Sequence, residues 1–374
     1  MIDPVKILQR AWHILWNYRA LWVFGLILAL AAGGGSGGNG GNNGMQWRED
    51  SQSYQAPPPE SMQEFFNDFN RELEKLFRQG IPEVDITGEA LTAFLWIVGI
   101  FVVFMLMVGI VMAIARYVSE TAVIRMVDEY ENTGTKMTVR EGFRIGWSRA
   151  AWRLFLINLI VNLPVILFFL VLLIAGAIIL VIIGNVGDGN TIFTPVTIIA
   201  MIGLVFLAIF VVVILSILLG LLRHFFWRVA VLEDAGVGES LRRGFAMVRQ
   251  NWKSVGLMWL VMIGLGIAWM VVSIIAIIIT LPVVFLTSIA AAIVVAIPGL
   301  LLVGLFSLFL GGPLPWIAAA LFVLPLFFII AFSPWLLLGS WQAVFTSNVW
   351  TLTYREIKAL PALAPEMDLE PVGD

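Results

Sequence analysis

Six long apolar runs decide what this chain can fold into. Each exceeds the ~18 apolar residues that indicate a membrane-spanning helix, and none contains Asp, Glu, His, Lys or Arg. The runs are continuous rather than alternating, which argues against a strand barrel, and a helix satisfies its own backbone hydrogen bonds in lipid. Only 13% of the residues are charged, against ~25% in soluble domains. The sequence therefore predicts an all-α polytopic transmembrane helical bundle, with runs at 90–115, 154–183, 192–222, 255–281, 283–310 and 316–338.

A short basic and aromatic pattern occurs three times, each time before an apolar segment. Glu-Gly-Phe-Arg-Ile-Gly-Trp at 141–147 returns as Glu-Ser-Leu-Arg-Arg-Gly-Phe at 239–245, and a looser copy lies at 7–12. Helices that are basic on one side and apolar on the other lie in the headgroup layer. We therefore expect a single membrane domain of about six spans, built as three repeated helical hairpins, each preceded by an interfacial amphipathic helix. The predicted repeat units are about 4–130, 137–235 and 237–358, and 359–374 is a polar C-terminal tail.

The charges outside the runs predict the topology. Most of the 22 Lys and Arg residues lie in 1–19, 116–153 and 223–253, and basic loops near spans favour the cytoplasmic side. Residues 45–89 instead carry ten acidic and four basic side chains. We expect the three basic segments to be cytoplasmic surface elements. The N-terminus and the C-terminus are then cytoplasmic, and the connection of the first hairpin is external.

Two segments fit the repeat poorly. The first span, 21–32, has only a dozen apolar residues, so the alternative is the apolar region of a signal peptide. The run 283–310 is a surplus in the third unit, bracketed by Pro282 and Pro313 and interrupted by Pro298-Gly299. Because another full crossing would place the C-terminus outside, we expect a broken, re-entrant or interfacial element rather than a seventh span.

The external insert 33–89 connects the two spans of the first hairpin. Its Gly/Asn/Ser-rich beginning, 33–44, lacks the Lys-Ser/Thr of a phosphate-binding loop. A polar linker follows, and 60–79 has apolar residues at helical spacing. We expect this helix to pack on the outer face of the bundle. The alternative is that residues 45–89 contact a protein partner.

The sequence offers no set of side chains suited to catalysis. Ionisable residues inside a bilayer are costly and therefore mark function, but the six runs contain none. The chain has no cysteine, and its two histidines, His13 and His224, lie far apart in basic segments where surface positions are expected. We expect no enzyme, no metal site and no cofactor. The remaining candidate is a polar intramembrane face of Asn158 and Asn162, which either bonds neighbouring helices or contacts a substrate.

The basic segments offer contacts at the membrane surface. Their arginines are candidate contacts for anionic lipid headgroups, each contributing up to ~1 kcal/mol, and nucleic acid is not expected against a bilayer. Gly142 and Gly146 share a helix face and should allow another helix to approach closely. The carboxylate pairs at 128–129 and 233–234 are expected to dock the next surface helix. The candidate lipid contacts are Arg140, Arg144, Arg242, Arg243 and Arg249.

The stretch 229–243, Val-Ala-Val-Leu-Glu-Asp-Ala-Gly-Val-Gly-Glu-Ser-Leu-Arg-Arg, followed by Asn251-Trp252, resembles a group of bacterial polytopic membrane proteins of uncharacterised function. That group is related to the membrane domain found with glycerophosphoryl diester phosphodiesterases. Residues 10–22 and the Gly-rich stretch after the first span are similar to it as well. The resemblance implies a bacterial inner-membrane protein and covers the hairpins but not the insert. In that family the hydrolytic chemistry belongs to a separate soluble barrel domain, and this chain has no comparable stretch.

Two functions agree with these features. The first is a membrane protein without a catalytic site that binds or organises lipid or partner proteins. The second is a transporter or permease for a small uncharged or amphiphilic substrate. A continuous cavity lined by Asn158 and Asn162 would favour transport. A solid bundle with basic helices along the membrane would favour the first function.

Overall fold

The computed structural model describes residues 2–31, 88–186 and 195–367. In these ranges the chain forms ten helices and no strand, which confirms the all-helical prediction. Residues 32–87, which hold nearly all of the predicted insert 33–89, lie outside the described part. In chain order the helices are α1 (Pro4–Asn17), α2 (Ala20–Ala31), α3 (Gly88–Thr133), α4 (Val139–Gly146), α5 (Arg149–Val186), α6 (Pro195–Leu232), α7 (Val237–Gln250), α8 (Trp252–Phe306), α9 (Leu314–Ala331) and α10 (Ser333–Met367).

Five helices in the described part are long and apolar enough to cross a membrane. Helices α1 and α2 bend by 100° at their junction and give a sixth candidate if the pair counts as one span. This number agrees with a polytopic protein of about six spans. The five candidates are Thr92–Thr133, Arg149–Leu172, Val205–Leu232, Trp252–Phe306 and Leu314–Ala331.

Two segments that we expected as cytoplasmic surface elements begin as continuations of the long helices, and their side of the membrane stays a prediction. Helix α3 has 46 residues and α6 has 38, whereas one crossing needs ~20. Neither 116–133 nor 223–232 contains Gly or Pro, so nothing in the sequence stops the helix where the apolar run ends. The helices end later: Gly134 follows α3 and Asp234 follows α6, and both residues have a positive φ.

The surplus run of the third unit also differs from the prediction. Helix α8 continues as one helix of 55 residues through both Pro282 and Pro298, where we expected a break. Proline removes one backbone donor, and neighbouring groups can compensate for that loss in spanning helices. The chain turns only after Phe306, at a segment where Gly312 has a positive φ. The predicted span 316–338 is instead divided at Phe332, between α9 and α10.

The chain divides into two compact units, of which the first contains most of the buried core. In the described part, this first unit holds residues 2–31, 108–186, 195–286 and 332–367. One cluster joins Leu21 and Phe24 of α2 to Val123 of α3 and Val344 of α10. A second cluster packs the start of α5 against the end of α6, through residues such as Leu154, Ile157, Ala230 and Val231.

The second unit holds the described residues 88–107 and 287–331. Its buried cluster consists of Leu310, Leu314 and Ala318, with Phe94 and Phe306 against it. The ring of Phe322 forms edge or tilted contacts with other rings of this unit, which favour such geometry over face-to-face stacking. Those rings are Phe101, Phe104 and Phe306.

The short helices α1, α4 and α7 are held against the ends of the long ones. Thr138 and Glu141 form a capping box that fixes the start of α4. A Cβ atom added at Gly146 would lie 2.5 Å from the carbonyl oxygen of Val118, and one at Gly142 would lie 2.6 Å from the Phe24 ring. Only glycine permits this approach, so the predicted role of the glycine pair is confirmed.

Candidate functional site

A buried polar cluster lies in the first unit, between α3, α6 and α10. Arg228 of α6 is only 1% exposed, and its Nη2 donates to the backbone oxygen of Ser347 at 3.1 Å. The same nitrogen lies 3.7 Å from Oε1 of Glu120, which also accepts a 2.9 Å hydrogen bond from the Ser347 hydroxyl. Glu120 therefore compensates the buried charge of Arg228, as a charge in this position requires.

Asn158 belongs to this cluster. Asn162 forms no hydrogen bond with the cluster residues named above. The Nη1 atom of Arg223 donates to Asn158 Oδ1 at 3.0 Å, and Asn158 Nδ2 donates to the Tyr117 hydroxyl at 2.9 Å. The Arg223 guanidinium also lies 5.2 Å from the centre of the Trp227 ring. One turn further along α5, Asn162 is half-buried. Asn158 thus bonds neighbouring helices, one of the two roles predicted for the polar face.

His224 is packed between helices, so the surface position that we expected is wrong. Its ring stacks on Trp350 of α10, with centroids 4.9 Å apart and planes inclined by 9°. Arg228 Nη1 donates to the His224 carbonyl oxygen at 3.0 Å and lies 3.4 Å from its Nδ1. Because arginine only donates, a hydrogen bond at Nδ1 requires the tautomer that carries its proton on Nε2. In the described ranges no three His, Cys, Asp or Glu side chains are grouped to hold a metal ion.

Two cavities share His224 and Thr346 in their walls. The larger has a volume of about 230 Å³ and lies between α6, α8 and α10, with Trp259, Trp269 and Gln342 in its wall. The smaller has a volume of about 60 Å³ and is the one with charged residues in its wall. Its lining includes Arg116, Tyr117, Glu120, Arg223, Trp227 and Ser347. Neither Asn158 nor Asn162 lines either cavity.

A second candidate surface consists of the outer faces of α4 and α7. Arg140, Arg144, Arg242 and Arg249 are exposed there and form no ion pair with the described residues. Arg243 differs, because it binds Glu233 at 3.1 Å and also Glu239. Large aromatic side chains accompany the free arginines, with Trp147 71% exposed. The others are Trp152, Phe245 and Trp252.

The carboxylates at the ends of the long helices hold the short helices in place, as predicted for Glu233. Its Oε2 accepts from Arg243 of α7, and its Oε1 accepts from Lys358 at 2.8 Å and from the Tyr354 hydroxyl at 2.6 Å. Burial alone would raise the pKa of Glu233, but hydrogen bonds from Lys358, Tyr354 and Arg243 outweigh it and lower the pKa below the ordinary 4.5.

The sequence reasoning missed Arg116, Glu120, Arg223 and Arg228 as site residues, because it placed them in surface segments. Their spacing carried a signal that could have found them. Arg116 and Glu120 are four apart, and so are His224 and Arg228, so each pair shares a helix face. Charged residues repeating at helical spacing directly after an apolar run indicate a helix that continues and buries a polar face.

Comparison with known proteins gives a match to a protein family. The family model of DUF7544, described as a family of unknown function, matches residues 9–361 and so covers most of the chain. No curated protein matches the sequence, and no solved structure does. The matched range runs from α1 into α10. It includes the buried polar cluster and the outer faces of α4 and α7. The chain therefore belongs to DUF7544, a family of unknown function.

Proposed function

We propose that this protein is a non-enzymatic, multi-pass membrane protein that binds anionic lipid headgroups through the outer faces of α4 and α7. One observation carries the proposal. Arg140, Arg144, Arg242 and Arg249 are exposed without an ion-pair partner in the described residues, beside exposed tryptophans. Tryptophan prefers the membrane–water interface, and each basic side chain there adds about 1 kcal/mol of attraction to an anionic surface.

The orientation of these helices supports the same function. The inner face of α4 is fixed by Gly142 and Gly146, and that of α7 by Gly244, where an added Cβ would lie 2.6 Å from the Phe226 ring. With one face docked, the opposite face of each helix is directed away from the bundle. Both helices then lie along the headgroup layer as amphipathic helices do.

We also propose a bacterial inner-membrane location with both chain ends cytoplasmic. The proposed arrangement is three repeated hairpins. Glu233, after α6, binds Arg243 of α7, while Glu356 of α10 binds Arg10 of α1 at 2.7 Å. In each case a carboxylate at the end of a long helix holds an arginine of a short one. The pair of Glu356 and Arg10 supports the proposal that α1 and the C-terminal part of α10 lie on the same side of the membrane. The relation to the phosphodiesterase-associated membrane domain, and a protein partner for residues 45–89, stay predictions.

The test is lipid binding by the full chain in neutral detergent. We expect the quadruple variant R140Q/R144Q/R242Q/R249Q to bind phosphatidylglycerol at least tenfold more weakly than the wild type, as read by native mass spectrometry. The matched control R48Q/R71Q/K75Q/R78Q removes four charges from the insert and should bind as the wild type does. Equal binding by the surface variant and the wild type would refute the proposal.

A second candidate function is transport of a small or amphiphilic solute. The observation in its favour is the pair of cavities that share His224 and Thr346 in their walls. The predicted criterion was a cavity lined by Asn158 and Asn162, and these two cavities do not meet it. Flux of labelled solutes into liposomes containing the purified protein measures this function directly. A flux that a bulky residue at Thr346 blocks would replace the first proposal.

A further inference from the structure

We propose that the small cavity between α3, α6 and α10 binds a phosphate group of a membrane lipid. The acyl chain of this lipid lies in the apolar groove next to the cavity. The site uses none of the surface arginines of α4 and α7. The groove shares Trp147 and Trp152 with the lipid surface proposed above, so the arginine variants are what test the two sites separately.

The charges around the cavity are unbalanced. Arg116 and Arg223 both line it, and Glu120 is the one carboxylate among its lining residues. Glu120 is already engaged, because it faces Arg228 at 3.7 Å and accepts from the Ser347 hydroxyl. Arg116 and Arg223 form no ion pair with any described residue. Glu120 attracts Arg223 as well as Arg228, while Arg116 repels Arg223, so one carboxylate serves several arginines, and an anion in the cavity reduces this imbalance.

Arg223 also has hydrogen-bonding capacity to spare. It is only 8% exposed, and in the described part only its Nη1 has a partner, Asn158. Its Nε is buried and makes no hydrogen bond. Buried polar atoms are normally paired, but this Nε is closed off from the cavity, so only the outer nitrogens of Arg223 can meet a ligand there. A phosphate fits this chemistry, because a guanidinium donates strong charge-assisted hydrogen bonds to phosphate oxygens.

The size of the cavity agrees with a phosphate group. At the ~10–15 Å³ that one water requires, its 60 Å³ would hold about four to six waters, which is room for a tetrahedral oxyanion. Part of the wall is already fixed by Trp227, which lies beside Arg223, and by Ser347, which donates to Glu120. The oxyanion therefore meets positive charge in a site whose shape is set before binding.

A groove next to the cavity identifies the source of the phosphate as a lipid. Tyr117 lines both the cavity and an apolar groove of about 480 Å³. The groove runs along α3 and the start of α5, and its lining includes Ile110, Ile114, Trp147, Trp152 and Phe155. A cavity lined by charged residues and an apolar groove that share Tyr117 in their walls offer places for the two ends of a phospholipid.

Native mass spectrometry of the full chain in neutral detergent tests the site. The probes are a short-chain phosphatidic acid, a diacylglycerol with the same chains, and inorganic phosphate. We expect one tightly bound phosphatidic acid per chain, and at least tenfold weaker binding of both other probes. R223Q removes the charge of Arg223 and should weaken phosphatidic acid binding at least tenfold, and so should R116Q. R19Q removes an exposed arginine elsewhere and should leave the affinity unchanged.

Each other outcome decides the proposal as well. If R223Q yields no folded protein, R116Q becomes the test variant, since Arg116 is only half-buried. If R116Q binds phosphatidic acid as tightly as the wild type does, the proposed site is wrong. Binding of inorganic phosphate as tightly as phosphatidic acid assigns the cavity to a free anion and overturns the lipid. Loss of phosphatidic acid in R140Q/R144Q/R242Q/R249Q, with R116Q unaffected, moves the lipid to the surface helices and overturns the cavity alone.

Discussion

The two halves of α6 face opposite environments although they belong to one helix of one unit. Residues 205–218 expose apolar side chains, with Phe206 72% exposed, whereas Arg228, Val229 and Ala230 are almost fully buried. In the first half the apolar side chains are exposed, as lipid-facing side chains are, and we expect another apolar residue of similar size to replace each of them without loss. In the second half, specific neighbours on α3, α5 and α10 surround the helix, and the partners of each polar atom matter. The apolar half places the protein in the membrane, and the polar half determines how its helices associate.

The largest expected effect comes from removing the buried charge of Arg228 in the second half of α6. Replacing Arg228 with Met leaves Glu120 buried without its cation, which costs about 3–5 kcal/mol. We expect a large drop in the thermal unfolding temperature in detergent. The double variant E120Q/R228M removes both charges and should recover much of the loss.

The exposed half provides the control for that variant. F206L changes a large side chain on the lipid-facing part of the same helix and should shift stability by no more than about 0.5 kcal/mol. A similar loss in F206L and R228M would mean that the two halves of α6 do not differ as described.

The next effect concerns the docking of α4, which depends on a close approach rather than on charge. G146V places methyl groups where a Cβ alone would lie 2.5 Å from the Val118 carbonyl oxygen, so we expect a cost of about 1–3 kcal/mol. Gly238 of α7 has no atom within 4 Å of an added Cβ. G238A should therefore be neutral or slightly stabilising, by up to ~1 kcal/mol, in the same unfolding assay.

The smallest effect concerns Glu233, and it depends on pH. E233Q weakens three hydrogen bonds to the carboxylate, and we expect a loss of about 1–2 kcal/mol at pH 7. Because the folded-state pKa is lowered, the carboxylate stabilises the protein above its unfolded pKa, and this stabilisation disappears as the pH falls through the folded value. Unfolding curves of wild type and E233Q should therefore converge below about pH 4.5. A constant difference down to acid pH would contradict a role for the ionised group.

The lipid-facing half of the fold could be predicted from the sequence, because lipid imposes one simple rule on it. Apolar runs such as 90–115 and 255–281 predicted helices, and helices cover them in the structure. The glycines of α4 were also read correctly, since small residues at helical spacing have few other uses. The predicted break in α8 was wrong, because Pro282 and Pro298 do not end that helix.

The polar site could not be predicted in the same way, because its residues come from three helices distant in sequence. Glu120 and Ser347 are 227 positions apart, and the sequence around either residue does not indicate that the other is its partner. The rule that basic residues near spans mark cytoplasmic loops then placed Arg223 and Arg228 on the surface. The rule gives the side of the membrane and does not tell whether a helix has ended.

The packing of α2 against α10 has a consequence for how the chain is made. Gly25 lies so close to α10 that an added Cβ would be 2.5 Å from Val344, and the Ser340 hydroxyl donates to the Trp22 carbonyl oxygen at 3.0 Å. These partners are 318 positions apart, so at ~5–20 residues per second the ribosome needs about 15–60 s to supply the second after the first. During that interval α2 is a short apolar helix without its native neighbour. Lipid or the insertion machinery must shelter it until the last helix arrives.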